Sequence, residues 1–373
     1  MIGERIKAAR VGKGLSLRAL AELVGVSHQA IFKYETGKDV PGSEVLLALS
    51  EALGVKPEFF FRPTRVMDIV PAFRKGSCLS AKAERIVLAK VKEALERRLE
   101  LEGLTMTPVQ NDLWPIVEQV SHVDSSEEVE GVAQQVRNLW GLGIAPIDNL
   151  TALLEDRGVR IEVVDDVDER FDACGFWVTM NGQGAVILEH LGARRPAIPA
   201  MAVRADVPGD RQRFSLAHEL GHLILDGFFG CKASVTGSES AGSLNVEAAA
   251  HRFAGAFIVP REAVIQELGP KRKNVSIAEL YLLKHKYGLS IQAWIRRARE
   301  VGAISRETEL RLFEQLSAKG YRKVEPGKPV PFEKPIKSRQ LALRAVAEGI
   351  ISRAKAAELL GVPLTGLQEE GEV

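Results

Sequence analysis

The spacing of apolar residues changes along the chain and divides it into segments of different kind. Over residues 2–61 the apolar positions Ile6, Ala9, Leu17, Leu20, Ala21, Leu23, Val26, Ile31, Leu46, Leu47 and Leu53 follow helical spacing, broken at Gly14, Gly25, Gly37 and Gly54. That pattern predicts about five short helices. A stretch carrying Pro63 and Pro71 reads as a linker. Residues 80–101 predict one long helix, with Leu88, Val91, Leu95 and Leu99 on one side and many charges on the other, which suits a scaffold or a dimer contact. After a loop around Pro108, helices are predicted over 127–140, ending at Gly141-Leu142-Gly143, and over 147–157. Branched and aromatic residues then predict strands over 159–164, 175–180 and 185–188. Helical spacing returns over 211–225 and 246–258 and dominates the remainder, apart from a linker carrying Pro326, Pro329, Pro331 and Pro335. The expected fold class is α+β, mostly helical, with a small sheet in the middle and helical modules on either side.

Length and composition narrow the picture only a little. A chain of 373 residues has room for two or three domains, each with its own core. Its composition, 46% hydrophobic and 27% charged, is that of a soluble protein, and no apolar run is long enough to span a membrane. Met1 leads directly into Ile2-Gly3-Glu4-Arg5, a charged helical start rather than a signal peptide, so the expected compartment is the cytoplasm. Cys78, Cys174 and Cys231 are far apart and form no C-x-x-C pair, which argues against both a disulfide framework and a thiolate metal site and reads as small buried hydrophobes. The net charge of +1 means that any attraction to nucleic acid must come from local pattern.

The sharpest chemical signal is Phe214-Ser215-Leu216-Ala217-His218-Glu219-Leu220-Gly221-His222-Leu223. On a helix, His218 and His222 share one face and can reach a single ion, with Glu219 beside it. Catalytic zinc takes three protein ligands and keeps a fourth position open. About one helix length later comes Glu247-Ala248-Ala249-Ala250-His251, and Glu247 is the natural third ligand. Zinc held this way brings the pKa of a water down to about 7. Glu219, not itself a ligand, would take the proton and pass it to the leaving amine. His251, four residues beyond Glu247, is a partner that fixes a ligand from behind, an alternative ligand, or merely packed. The group that would hold the oxyanion is not visible; His190 and His251 are weak candidates. The bland reading, two solvated histidines on an amphipathic helix, is disfavoured by the apolar setting (Leu216, Leu220, Leu223, Ile224), by the downstream carboxylate and by Gly221, which permits a close neighbour.

The first sixty residues carry a second signal. Two short helices over 16–24 and 27–34 are joined by Gly25-Val26, a spacing that suits a helix-turn-helix. Ser27 is a good N-cap, which places His28 and Gln29 in the first turn of the second helix, the turn that faces base edges in the major groove. Gln29 can pair with adenine, His28 and Lys33 can meet base or phosphate, and Arg18 and Lys38 are phosphate contacts. Residues 1–57 hold eight basic and six acidic side chains, so affinity is expected to need a homodimer presenting two such faces. A helical protein-docking domain is the bland alternative.

Ser27-His28-Gln29-Ala30-Ile31-Phe32-Lys33-Tyr34-Glu35-Thr36-Gly37, followed by Pro41, resembles the phage-repressor or Cro (XRE) class of helix-turn-helix. Arg213 to His222, taken with residues 247–260, resembles the ImmA/IrrE family of zinc metallopeptidases. Fusions of the two occur, and the chain is similar to them over nearly its whole length, including Phe73-Arg74-Lys75 and the terminal helical stretch 339–360. The resemblance implies His218, His222 and Glu247 as metal ligands and Glu219 as the catalytic residue. It also implies a regulator, or an antitoxin, that cleaves or inactivates a repressor protein. Two departures bear on the site: family members often carry Asn or Asp where His251 stands, and the segment 192–207 is longer than usual. The domains expected are 1–62 for the helix-turn-helix, 63–125 for a helical scaffold, 126–268 for the peptidase and 269–373 for a helical C-terminal region. Ala357-Glu358-Leu359-Leu360-Gly361-Val362 echoes Ala21-Glu22-Leu23-Val24-Gly25-Val26. With Pro363 where the cap would be and Gln368-Glu369-Glu370 beyond it, it reads as a docking hairpin rather than a second DNA reader.

Three functions remain open on the sequence. One is a DNA-binding regulator whose zinc endopeptidase cleaves a repressor or partner protein, the Gly- and Ser-rich segment 234–245 serving as a mobile lid or simply as a surface loop. Another is a transcription factor whose metal domain senses or stabilises without proteolysis. The last is an antitoxin that represses its operon at a double-stranded operator and masks a toxin by surface contact.

Overall fold

The structure is a computed structural model, and it describes residues 2–62, 64–71, 79–107, 110–120, 123, 125–180, 197–225 and 245–367. The first helices are α1 (Ile2–Gly12), α2 (Leu17–Val24), α3 (His28–Glu35) and α4 (Ser43–Leu53), followed by a 3-10 turn, Pro57–Phe61. They close over Ile6, Leu20, Ile31 and Leu53, which helical spacing predicts, together with Leu49, Phe59 and Phe60, whereas Leu23 and Leu47 of the predicted set are exposed. Between α2 and α3 the chain reverses at Gly25, whose φ of 75° is left-handed and whose N–H donates back to Ala21 O. Arg10 Nε and Nη2 donate to Glu35 at 2.6 and 2.9 Å, tying α1 to α3.

The presumed linker holds more structure than its prolines advertise. β1 (Val66–Pro71) is an edge strand, and Pro71 is tolerated because only one side of an edge strand needs donors. It pairs antiparallel with β3 (Ala173–Met180), which pairs antiparallel with β4 (Ala197–Arg204). β4 in turn pairs in parallel with β2 (Arg160–Val164), giving the order β1-β3-β4-β2. The predicted strand over 185–188 lies outside the described residues, and the strand that fills the middle of the sheet, β4, was not anticipated. Buried on both faces, it reads Ala-Ile-Pro-Ala-Met-Ala-Val without the alternation of a half-exposed strand.

Alternation of side chains across the sheet divides two cores. Phe176 and Val178 of β3, with Ala200 and Ala202 of β4, face the long helix α5 (Ala81–Leu104) and its Val87, Val91, Leu95 and Leu99. Trp177, Met201 and Val203 face the opposite way, onto Leu216, Leu220 and Leu223 of α9 (Gly209–Leu225). Helix α10 (Val246–Ile258) lies along α9, and α7 (Ser126–Leu139) covers α10. Gly221 permits the close α9–α10 approach: a Cβ there would stand 3.2 Å from Phe253 and 3.3 Å from Ala250 Cα. Helices α6 (Trp114–Gln119), α8 (Leu150–Asp156), α11 (Arg261–Leu268), α12 (Ile277–Tyr287), α13 (Ile291–Val301) and α14 (Arg306–Ala318) complete this region.

The proline-rich segment then returns along the start of α9. Gly209 N–H donates to Val330 O at 2.9 Å, and Glu333 accepts from Arg213 Nη1 at 2.5 Å and from Thr151 N at 2.9 Å. α15 (Lys337–Ala347) and α16 (Arg353–Leu360) dock on α5 through Leu341, Ala342, Ala356, Ala357 and Leu359 against Leu101. Helix α16 is capped by Ser352 and closed by left-handed Gly361, as α2 is by Ser16 and Gly25, which is the structural form of the sequence echo. Its Glu358 pairs with Arg62 at the exit of the N-terminal helices, and Arg5 of α1 pairs with Glu93 (3.3 Å) and Glu96 (3.5 Å) of α5. The long helix is thus a scaffold for three layers: the N-terminal helices, the sheet and the C-terminal pair. Gln368 to Glu370, like Phe73 to Lys75, lie outside the described residues. Among the described residues no helix is long and apolar enough to cross a membrane.

Candidate functional site

The elements that carry the site are α9, α10 and β3. Helix α9 is anchored at its start by buried Arg213, which donates to the carbonyls of Ile147 and Asp148 and to Glu333. One turn further on, His218 and His222 project from one face, their Nε2 atoms 2.9 Å apart and their rings edge to face at 4.5 Å between centroids. Asn245 caps α10, its Oδ1 accepting from Glu247 N at 2.9 Å, and so fixes the residue that reaches the pair. Glu247 Oε2 lies 3.3 Å from His218 Nε2, and Oε1 lies 3.7 Å from His222 Nε2. The two helices run in opposite senses, since Glu247 meets both histidines while His251, one turn later, meets His218 and Phe214.

These three side chains present ligand atoms that all lie within 4.8 Å of one another. His222 is buried, whereas the Glu247 side chain is 40% exposed, so the cluster is walled behind and open in front. Burial, then the neighbouring His222 and His251, pushes the His218 imidazole down to a pKa of about 3, which keeps it neutral and its lone pair available. Two imidazole nitrogens and a carboxylate converging in this way fit a divalent transition metal with a further position for water or substrate.

Glu219 lies on the same helix but turns toward the sheet. Its Oε2 accepts from the N–H of Gly175, on β3, at 2.7 Å. Burial lifts the carboxyl to a pKa of about 7, with His222 and the Gly175 N–H opposing the rise and Glu247 adding to it. Gly175 is the residue sequence reasoning missed. A Cβ there would sit 3.3 Å from both Glu219 O and Oε2, so the glycine lets strand and helix meet closely enough for the bond. Its role rests on a backbone N–H, for which the only sequence trace is glycine at the start of an otherwise bulky strand.

His251 makes ring contacts rather than a hydrogen bond with the ligand. Its ring is 4.5 Å from that of His218 and stacks on Phe214 at 5.5 Å, while His218 Nδ1 is buried and has no hydrogen-bond partner among the described residues. His190 and all but the last residue of the segment 234–245 lie outside the described residues, as do Cys78 and Cys231. Cys174 is half-buried and free, next to Gly175.

At the other end of the chain, Ser27 Oγ accepts from Ala30 N at 3.1 Å, so α3 begins where the sequence places it. His28, Gln29 and Lys33 on α3 are exposed, as are Arg18 on α2 and Lys38 just past α3, where its Nζ lies 5.8 Å from the Phe32 ring centroid.

Comparison with known proteins matches two segments of the chain to families. Residues 6–60 match the family described as helix-turn-helix, and residues 175–299 match the peptidase family described as IrrE N-terminal-like domain. The chain therefore carries an XRE-type helix-turn-helix joined to an IrrE/ImmA-like domain. The chain also resembles curated HTH-type regulators over about 60 residues. It is 41% identical over 64 residues to a prophage-derived HTH-type transcriptional regulator of Bacillus subtilis (strain 168), covering 17% of this chain and 59% of that one. It is 40% identical over 62 residues to repressor protein C2 of Salmonella phage P22, covering 17% and 29%. An HTH-type transcriptional regulator of Sinorhizobium fredii is 38% identical over 63 residues, covering 17% and 44%. The matched stretch thus spans 29% to 59% of these relatives.

Proposed function

We propose that this protein is a DNA-binding transcriptional regulator whose second domain is a zinc-dependent endopeptidase acting on a repressor or partner protein. The observation that carries the peptidase half is the arrangement of four side chains: His218, His222 and Glu247 converge on one point, and Glu219 is held beside it by the Gly175 N–H. When bound, zinc supplies Lewis acidity toward water and toward a peptide carbonyl. His218 and His222 would hold it from α9 and Glu247 from α10, with the exposed side of Glu247 leaving room for substrate. Glu219 receives the proton of the attacking water and returns it to the leaving amine. A carboxyl near pKa 7 is matched to both halves of that transfer at neutral pH. One of its oxygens is engaged by Gly175, which orients the other for the transfer.

The DNA-binding half is supported by the exposed first turn of α3 and by the repressor among the relatives of this segment. A homodimer on a two-fold operator would place two such helices in successive major grooves and compensate for the small basic excess. His28 and Gln29 face base edges in this arrangement, with Arg18, Lys33 and Lys38 near phosphates.

The two halves separate by substitution. Glu219→Gln is expected to retain metal and operator binding and to lose cleavage of the partner. If that variant preserves every cellular output, the metal domain is structural or sensory and the peptidase reading fails. Gln29→Ala with Lys33→Ala is expected to weaken operator binding by about 1–3 kcal/mol in gel shifts, and unchanged shifts reject α3 as the reading helix.

A further inference from the structure

A cleft of about 690 Å³ opens on the His251 side of the metal ligands, between the start of α9, the middle of α10, α13 and the segment 322–329. Its near wall is Phe214 and His251, whose rings stack on one another, with the His251 ring also 4.5 Å from His218. The cleft therefore starts one side chain away from the proposed metal position.

The charge of its walls is not balanced. Lys284 is buried between Asp210 at 3.1 Å and Glu325 at 2.8 Å, so the two acids there are engaged with one cation. Arg297, with its side chain 1% exposed, uses Nε on Val259 O and Nη1 on Glu130 and Glu300, while its Nη2 is buried with no partner among the described residues. Around the rim, Arg296, Arg322 and Lys323 are exposed, and among the described residues none of them lies in an ion pair; Arg322 rests on the Phe313 ring at 4.8 Å. Between the cations the accessible apolar lining is Phe214, Ala293 and Val324, with Ser290 and Gln292 beside them.

We infer that this cleft receives an acidic stretch of the polypeptide substrate, laid beside the scissile bond with carboxylates toward Arg296, Arg322 and Lys323 and apolar side chains toward Phe214 and Ala293. The inference rests on the peptidase reading and specifies its substrate class. Cations spread along a rim over an apolar floor suit an extended chain of mixed acidic and apolar residues. A phosphate group calls instead for donors converging on one point. Exposed charges of this kind select the partner and speed its capture more than they add affinity.

The test uses the full-length, zinc-loaded protein and three fluorescein-labelled ten-residue peptides, in which Leu alternates with Glu, Gln or Lys, followed by anisotropy. The Glu peptide is expected to bind about tenfold or more tighter than the Gln peptide, and the preference to shrink as salt is raised. Arg296→Glu combined with Lys323→Glu, both surface changes, is expected to abolish it, whereas Arg353→Glu, at an exposed position of α16, leaves it unchanged. Equal binding of the Glu and Gln peptides, or a preference that survives the double reversal, overturns the inference. So does displacement of the Glu peptide by millimolar inorganic phosphate, which assigns the cleft to a phosphate instead. Glu219→Gln is expected to keep the preference. An acidic preference in a wild-type protein that cleaves nothing defeats the peptidase reading while leaving the cleft's charge selection in place.

Discussion

Placing a methyl group at Gly221 tests the contact on which the site depends. In the interior of α9, Gly→Ala by itself favours the helix by about 1 kcal/mol. Against that gain, the new Cβ would stand 3.2 Å from Phe253 Cδ1, 3.3 Å from Phe253 Cβ and 3.3 Å from Ala250 Cα. Phe253 has no room to yield: it is wholly buried and stacks on Phe257 at 5.6 Å between centroids. Overpacking of this kind costs about 1–3 kcal/mol, so the expected net effect is a loss of up to about 2 kcal/mol. The relief available is for α10 to move away from α9, which carries Glu247 away from His218 and His222. Metal sites tolerate errors of only about 0.2 Å in ligand distance, so affinity falls along with stability. Gly131 on α7 is the matched control, a helical glycine whose added Cβ would meet nothing within 4 Å. Urea midpoints of chelator-treated protein and a zinc titration of each variant make the comparison. Gly131→Ala is expected to gain about 1 kcal/mol with unchanged metal affinity, and Gly221→Ala to lose both. If the two variants gain alike, the tight α9–α10 contact is refuted, and with it the spacing of the ligands.

Gly175→Ala is expected to press β3 off α9 at Glu219 and to lower kcat for partner cleavage roughly tenfold to a hundredfold at unchanged metal content. Kinetics and metal analysis on the same preparation decide it, since loss of metal would point to a folding defect instead. Glu162 on β2 is lifted by burial to a pKa of about 7, with one buried carboxyl oxygen lacking a partner among the described residues. Between its ordinary value of 4.5 and 7 the folded state therefore holds more protons than the unfolded state, so this residue's contribution to stability declines as pH rises through that window. Glu162→Gln is expected to flatten the decline and to stabilise the protein at pH 8 by on the order of 1–3 kcal/mol, while changing little at pH 4. Melting curves that stay parallel at all pH values would contradict the burial of that carboxylate.

How much of this was legible beforehand varied with the kind of signal. The pair His218 and His222 was readable because four residues on a helix fix a shared face, and Glu247 because a carboxylate on a second predicted helix follows about one helix length later. The helix-turn-helix was readable from Ser27 and Gly25, whose conformations are demanded locally. β4 was hidden because a strand buried on both faces loses its alternation, and β1 because Pro71 marks an edge strand and a linker equally well. Arg213 gave no warning, since its partners Ile147, Asp148 and Glu333 are brought to it only by the fold. Gly175 gave almost none, because a backbone N–H is the same in every residue but proline.

Metal content of the purified 373-residue chain tests the site most directly. Elemental analysis of the wild type after gel filtration is expected to give one zinc per chain, and the same measurement on Glu247→Ala and His222→Ala a large loss, with circular dichroism showing both variants still folded. Glu219→Gln is expected to match the wild type. A wild-type chain without stoichiometric transition metal, or a zinc content indifferent to Glu247 and His222, would contradict the site.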